Sequence, residues 1–362
     1  MLARVHAAEA ASIAALPGDD PLDAKRRGRV DATLPEMLAQ PEALEETWAA
    51  NAETLPELAR LITDRAPWRA CLVGAGDSLA VMTGARLALE MALGIPCEPV
   101  QSLELAHYTW RTLGPRTLVF VLSSSGETTR SVEAALVAQN AGACTVALTN
   151  TPGSTLDAEC DRTLLVRATR KGWPTQSSTA ALGLLLRLAS MTGSRPCAAA
   201  IDALPELMAA AMERAVPFAR EFAAREAAGR MYLFSGGGPN QASAVIGAAK
   251  VKECTPDHAL AIQVEEYHHY NSQKAGEPLM LLAPTGPSLS RACDTASEAR
   301  RFGGRAYAVT TEGEHALDAD CDLVLGLPPV HEALSPMLYA LPAQCAGYEL
   351  AMAKFAAAEA AR

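Results

Sequence analysis

LVGAGDSLAV, residues 72–81, reads as an apolar strand, a glycine-rich turn and the opening of a helix, and LFSGGGPNQA at 233–242 repeats that pattern. The same displacement carries LDAECDRTLLV (156–166) onto LDADCDLVLGL (317–327). Between the members of each pair lie a second apolar run, a small-residue turn and an amphipathic stretch. They are LVFVLSSSGETTRSVEAALVAQ (118–139) and LMLLAPTGPSLSRACDTASEARRF (279–302). A short apolar run follows each, CTVALTN (144–150) and RAYAVTTEG (305–313). Short apolar runs alternating with longer amphipathic ones predict βαβ units and a parallel sheet. Their recurrence predicts a duplication. The expected fold is therefore α/β, with two tandem domains, each a parallel sheet flanked by helices. The expected boundaries are an N-terminal helical segment at 1–48, a first domain at 49–197, a linking helix at 198–228 and a second domain at 229–362.

A chain of 362 residues is long enough for two domains, each with its own core. With 49% hydrophobic residues it is not a disordered chain. Thirty-one Lys and Arg against 41 Asp and Glu leave a net charge of −10, which argues against a nucleic-acid partner held by a basic surface. The one basic cluster, Lys25, Arg26, Arg27 and Arg29, reads as a solvated loop. No apolar run approaches the ~20 residues that span a bilayer, since Arg187 interrupts TAALGLLLRLA (179–189). His6 and Glu9 fall where a signal peptide would be apolar. Nine cysteines without a C-x-x-C pair read as free thiols in a reducing compartment. The expectation is a cytoplasmic protein with no membrane partner.

Two stretches carry candidate chemistry. Ser123-Ser124-Ser125-Gly126-Glu127-Thr128-Thr129 follows an apolar strand and opens a helix. Such a turn offers free N–H groups at the positive end of a helix, and several hydroxyls beside them suit a phosphate. The plainer alternative, a Ser/Thr cap with a Glu in the first turn, needs only one hydroxyl. Gly74-Ala75-Gly76-Asp77-Ser78 is a similar turn, with neither the acidic partner of a dinucleotide site nor the G-K-[ST] of a P-loop. The second stretch runs from Lys250, Lys252 and Glu253 through Asp257 and His258 to Glu265, Glu266, His268 and His269. A metal held by His258, His268 and Glu265 is one reading, but no H-x-x-x-H or H-E-x-x-H spacing is present. A solvated polar cluster is another. Acid–base work by a carboxylate and an imidazole fits best.

Together these motifs resemble the sugar isomerase (SIS) domain proteins. The likeness is to the isomerase half of glutamine–fructose-6-phosphate aminotransferase and to the fructosamine-6-phosphate deglycases. It runs from TLPEMLAQPEALEETW (33–48) to AKF (353–355), near the end of the chain. It implies two tandem SIS domains with flavodoxin-like three-layer architecture. SSSGET matches the family's phosphate loop, which implies that Ser123, Ser125 and Thr128 hold a sugar phosphate while Ser124 contributes its backbone. Ser78, beside Gly76, matches the serine of the family's G-T/S-S turn, and Ser178 the serine of its A-S-T segment. The second domain has PTGPSLS in the corresponding place, so one phosphate loop per chain is expected. Lys250-Val251-Lys252-Glu253 matches K-L-K-E, whose glutamate transfers the proton. The family's ring-opening histidine lies sixteen positions further on, which selects His269 over His268. His258 and Glu266 fall on supporting positions. The family's histidine loop reaches into the neighbouring protomer, which implies a homodimer with a shared active site.

The family's H-G-P after the histidine is replaced by a longer loop, His269 to Pro278. The chain stops soon after Lys354, without a lysine-bearing tail, and no glutaminase domain precedes it. These departures argue against hexosamine synthesis. The resemblance thus implies a phosphosugar isomerase, deaminase or deglycase that moves a proton between C1 and C2, with Glu253, His269 and Lys250 as the catalytic set. Neither a metal nor another cofactor is implied. The alternative is a non-catalytic SIS sensor that binds a sugar phosphate and regulates a partner.

Overall fold

A computed structural model describes residues 2–195, 197–270 and 272–362. Four helices open the chain: α1 (Leu2–Ala14), α2 (Ala24–Leu38), α3 (Gln40–Ala50) and α4 (Thr54–Arg65). The chain divides into two compact units. Met1–Leu16, Ala39–Arg170 and Gln176–Asp202 make the first, and Pro17–Leu38, Lys171–Thr175 and Ala203–Arg362 the second. The opening helical stretch is thereby divided, with α2 in the second unit and the other three helices in the first.

The first unit is built on five parallel strands. They are β1 (Arg69–Gly74), β2 (Cys97–Gln101), β3 (Thr117–Leu122), β4 (Cys144–Thr149) and β5 (Arg162–Leu165), in the order β2-β1-β3-β4-β5. Its helices are α5 (Asp77–Leu93), the single turn α6 (Ser102–Glu104), α7 (Thr129–Asn140), α8 (Thr155–Glu159) and α9 (Gln176–Met191). Side chains alternate across the sheet. Cys71, Val73, Val119, Val121 and Ala147 pack on Ala134, Ala135 and Ala138 of α7. Their neighbours Leu72, Phe120, Val146 and Leu148 are buried on the opposite face. The apolar run 179–189 is no membrane span but the core of α9, packed on α3, α4 and α5.

The second unit repeats the plan. After α10 (Leu204–Glu226) come β6 (Met231–Gly236), α11 (Gln241–Cys254), β7 (His258–Gln263), β8 (Pro278–Leu282), α12 (Leu289–Arg301), β9 (Arg305–Thr311), β10 (Leu323–Leu327) and α13 (Pro336–Ala360). The order β7-β6-β8-β9-β10, all parallel, is that of the first sheet with each strand replaced by its counterpart. Both sheets therefore have the doubly wound 2-1-3-4-5 order. Leu279, Leu281, Ala306 and Ala308 pack on Ala292, Ala296 and Ala299 of α12. On the other face Phe222 of α10 meets the Tyr307 ring edge-on, with centroids 4.8 Å apart.

One expectation is corrected. The basic cluster is not a solvated loop but the start of α2, and Arg26 is only 3% exposed. Its guanidinium donates to the carbonyls of Asp20 and Gly18. Arg29 lies 3.6 Å above the Trp173 ring and donates to the Gly172 carbonyl at 3.2 Å. The partners of Arg29 come from distant chain, and those of Arg26 are backbone carbonyls six and eight residues back, so the local charge pattern could not reveal them. All nine cysteines are free and most are buried, which pushes the Cys71 thiol up to about 11 and that of Cys97 to about 12. Among the described residues no helix is long and apolar enough to cross a membrane.

The free edge of β5 is closed by a side chain. Asn51, 2% exposed, donates to the Leu165 and Thr47 carbonyls at 2.8 and 2.7 Å and accepts from the Leu165 N–H at 3.0 Å. It thus stands in for a sixth strand. Asn51→Ala leaves both Leu165 backbone groups without this partner and should cost about 1–3 kcal/mol, read as a lower urea midpoint. An unchanged midpoint would mean that water replaces the amide.

Candidate active site

Strands β1 and β3 are neighbours whose connections leave to opposite sides, so the crevice at their carboxyl ends is the topological switch point of the first sheet. The serine-rich turn follows β3 at this edge. Ser123 Oγ lies 2.9 Å from Thr128 Oγ1 and 3.5 Å from Ser125 Oγ, which gathers three of the predicted hydroxyls into one cluster. Thr128 is the N-cap of α7, yet its side chain makes no capping bond; it faces Ser123 instead. The plain N-cap alternative is therefore not what the residue does. The turn itself is tight. Gly126 N–H donates to the Ser123 carbonyl at 2.9 Å, and Gly126 adopts φ +65° with Ser154 Oγ only 2.0 Å from where a Cβ would stand.

Two polar groups of the turn are turned away from these hydroxyls. The Ser124 carbonyl accepts from Asn150 N–H and from the hydroxyls of Thr149 and Thr151, at 3.1, 3.2 and 3.1 Å. Its negative end is thus directed into β4 and away from the hydroxyls. The one acidic residue is also turned inward. The buried Glu127 carboxylate accepts from Thr155 N–H at 2.9 Å and Thr155 Oγ1 at 2.7 Å, and pairs with Arg4 of α1 at 2.6 Å. Close by, Glu9 of α1 accepts from Thr129. No sequence signal pointed to Arg4 or Glu9, because their partners lie more than a hundred residues away.

Ser78, partly exposed, sits in the first turn of α5, whose N-cap Gly76 has φ +58°. Gly74 admits this approach, since a Cβ there would lie 2.6 Å from the Ser78 backbone. Ser178 is in the first turn of α9, buried, beside a Ser177 hydroxyl that has no protein partner among the described residues. The helix starts bearing Ser78, Ser178 and the serine turn all follow strands of this sheet, so they share its carboxyl edge.

In the second unit Lys250 and Glu253 lie three residues apart near the end of α11 and form an ion pair. Lys250 is 0% exposed, enclosed where Gly347 of α13 comes so close that a Cβ would stand 2.7 Å from that of Lys250. The Glu253 side chain keeps 26% of its surface. Exposed His258 begins β7 just beyond. His269 closes a 3₁₀ turn, Glu266–His269, past the other end of β7, and Glu266 there is exposed. Because α11 returns from the carboxyl to the amino edge, Glu253 and His258 stand at one edge of the sheet and Glu266, His268 and His269 at the other. The six residues of β7 separate them by about 20 Å. The chain therefore does not bring Glu253 and His269 together within this unit, and it separates His258 from His268, two of the three candidate metal ligands. Among the described residues no three His, Cys, Asp or Glu groups form a metal cluster. Asn271 of the polar stretch lies outside the described residues.

At the matching edge of the second sheet the PTGPSLS turn gathers no comparable set of hydroxyls. The Glu332 carboxylate lies 3.4 Å and 3.6 Å from the Cβ positions of Gly238 and Gly286. A carboxylate over two glycine turns disfavours an anion there.

This arrangement has counterparts in known proteins. The glutamine–fructose-6-phosphate aminotransferase [isomerizing] of Thermus thermophilus is 28% identical over 88% of this chain and 55% of its own length. The chain spans about half the length of the curated relatives it matches. Among solved structures, the C-terminal domain of glucosamine-fructose-6-phosphate aminotransferase from Francisella tularensis superposes with a TM-score of 0.77, at 20% identity over 89% of this chain and 96% of that one. Tagatose-6-phosphate ketose/aldose isomerase from Escherichia coli gives 0.74 at 18% identity, over 88% and 92%. The SIS domain profile matches residues 65–191 and again 227–354. The duplicated parallel sheets, the hydroxyl-lined turn at the switch point and this double match lead to one conclusion: the chain belongs to the SIS domain family, with two SIS domains in tandem.

Proposed function

We propose that this chain is a cytoplasmic enzyme acting on a phosphorylated sugar or amino sugar, moving a proton between C1 and C2 through an enediol or enamine. The observation that carries the reading is the serine turn. Three hydroxyls converge at a helix start whose N-cap side chain makes no capping bond, and the Glu127 carboxylate is turned inward onto Thr155 and Arg4. Such a turn binds a dianion without a lysine or arginine. In this reading Ser123, Ser124, Ser125 and Thr128 hold the phosphate, with Ser78 and Ser178 beside them. Binding energy spent there orients carbons that the loop never touches.

Glu253 takes the proton from one carbon as its carboxylate and returns it to the neighbour as the acid, so the group is regenerated each cycle. Lys250 is wholly buried, and in this reading it holds Glu253 rather than touching the sugar. Donation to the developing oxyanion then falls to backbone N–H groups. His269 serves the ring or carbonyl oxygen, with His258 and Glu266 in support. Glu253 and His269 face opposite edges of their own sheet, which supports a homodimer in which each site takes its histidine from the partner. A substrate with an amine at C1 or C2 would lose it from the same enamine, so deaminase and deglycase chemistry share this constellation. A sensor that only binds sugar phosphate needs neither Glu253 nor His269.

The deciding experiment incubates the protein in deuterated water with fructose 6-phosphate, glucosamine 6-phosphate and a fructosamine 6-phosphate in turn. NMR then reads exchange at C2 and any released amine. No exchange with any of them would favour the sensor.

Three outcomes are expected of variants. At a hundred times its dissociation constant the bound sugar phosphate should stabilise the fold by about 2.7 kcal/mol. Replacing Ser123, Ser125 and Thr128 together by alanine should remove most of that thermal shift while leaving the unliganded melting temperature near normal. A full shift in the triple variant would place the anion elsewhere. Glu253→Gln should lower kcat at least about a hundredfold, hold KM within a few-fold and abolish exchange at C2. Undiminished exchange would reduce Glu253 to a helix-surface partner of Lys250. Finally, inactive Glu253→Gln and His269→Asn chains co-expressed should recover about a quarter of the activity, because half the dimers are mixed and half their sites whole. Silent mixed dimers would keep the histidine within its own chain.

A further inference from the structure

The two adjacent histidines after β7 point in opposite directions, and each has its own anchor. The His268 ring is 10% exposed and sits between the Glu298 carboxylate and Thr295 Oγ1, the latter at 2.9 Å. His269, 57% exposed, turns outward with Nε2 3.4 Å from Glu265 Oε1. Glu265 in turn is gripped by the guanidinium of Arg291, with Oε2 2.7 Å from Nε and Oε1 3.1 Å from Nη2. Arg291, Thr295 and Glu298 recur every three to four residues along α12, so one helix face holds the whole turn. Beneath it, buried Tyr267 donates its hydroxyl to Gln273 Oε1 at 2.7 Å. A merely solvated loop would not need a forked guanidinium behind its carboxylate.

We infer that Glu265 is a positioning residue for His269: it accepts the Nε2–H and, held by Arg291, leaves Nδ1 as the nitrogen presented to substrate. The inference deepens the reading of His269 given above and rests on it. A carboxylate at one ring nitrogen selects the tautomer and favours the imidazolium. The fork matters because a lone surface glutamate would sample many rotamers, whereas paired N–H···O bonds fix its plane. Arg291 also holds the Glu265 carboxyl below the usual carboxylate range, so it stays ionised as the histidine titrates. The other charged groups near the turn are Asp294, 3.2 Å from Arg291, Glu298 on His268, and the neighbouring Glu266. Among the described residues the carboxylate within ion-pair distance of the His269 ring is that of Glu265.

The test uses the full chain and Glu265→Gln, which keeps an oxygen to accept the Nε2–H but removes the charge. The imidazole C–H signals are followed by NMR across the pH range, and His269→Asn identifies which signal belongs to His269. In Glu265→Gln the His269 signals should titrate at lower pH than in the unsubstituted chain, because the negative charge beside the ring is gone. The limb of the exchange activity that follows His269 should move with it. The kcat should fall about tenfold while KM stays within about threefold. An unmoved His269 titration overturns the inference, even if Glu265→Gln is less active, because a structural defect would not spare the ring. If His269→Asn keeps full exchange activity, the role of His269 in the proposed reaction fails on its own. The titration then still decides whether Glu265 governs the ring.

Discussion

A parallel sheet has a direction, and the chemistry of this protein depends on it. Every strand ends on the same edge, so each helix that follows a strand begins there with its unpaired N–H groups. With the order β2-β1-β3-β4-β5, the chain leaves β1 and β3 toward opposite faces and opens a crevice between them. Hydroxyl-bearing turns after these two strands are adjacent in space although some 45 residues apart in sequence. The same constraint explains why Glu253, at the end of a returning helix, and His269, past the end of a strand, lie on opposite edges of their sheet.

The electrostatics of the serine turn follow from where its charges are sent. Glu127 is a poor neighbour for a phosphate by sequence, but its carboxylate is spent on Thr155 and Arg4. The Ser124 carbonyl is likewise committed to three donors. What remains at the start of α7 is the cluster of Ser123, Ser125 and Thr128 hydroxyls, a set whose chemistry suits an anion. The turn keeps this shape because Gly126 tolerates φ +65° and has no Cβ to strike Ser154.

Duplication gave the two halves one topology and left their chemistry free to diverge. Helix α7 opens on a cluster of serine and threonine hydroxyls. Its counterpart α12 follows PTGPSLS and instead carries the side chains that anchor the histidine turn. The edge segment of the first unit docks similarly, with His107 3.2 Å from Arg130 and 3.3 Å from Glu133 of α7. Docking of this segment is thus a feature of the fold, and the Arg291–Glu265 fork is what the second half adds to it.

The sequence by itself determined the periodicity, and with it the two α/β halves, because alternating short apolar runs and amphipathic stretches leave few packings open. It also determined the serine turn, which is local: neighbours within one turn of chain must meet. Asn51 on β5, Arg29 on Trp173, Arg4 on Glu127 and Arg291 on Glu265 were not legible, nor was the burial of Arg26. The four pairs join residues between 26 and 144 positions apart, and single-residue patterns carry no information about such pairs. Which of two adjacent histidines turns outward was also decided only by the tertiary structure. Residues one apart share a local environment in sequence, and it takes the face of a packed helix to enclose one ring and leave the other exposed beside Glu265.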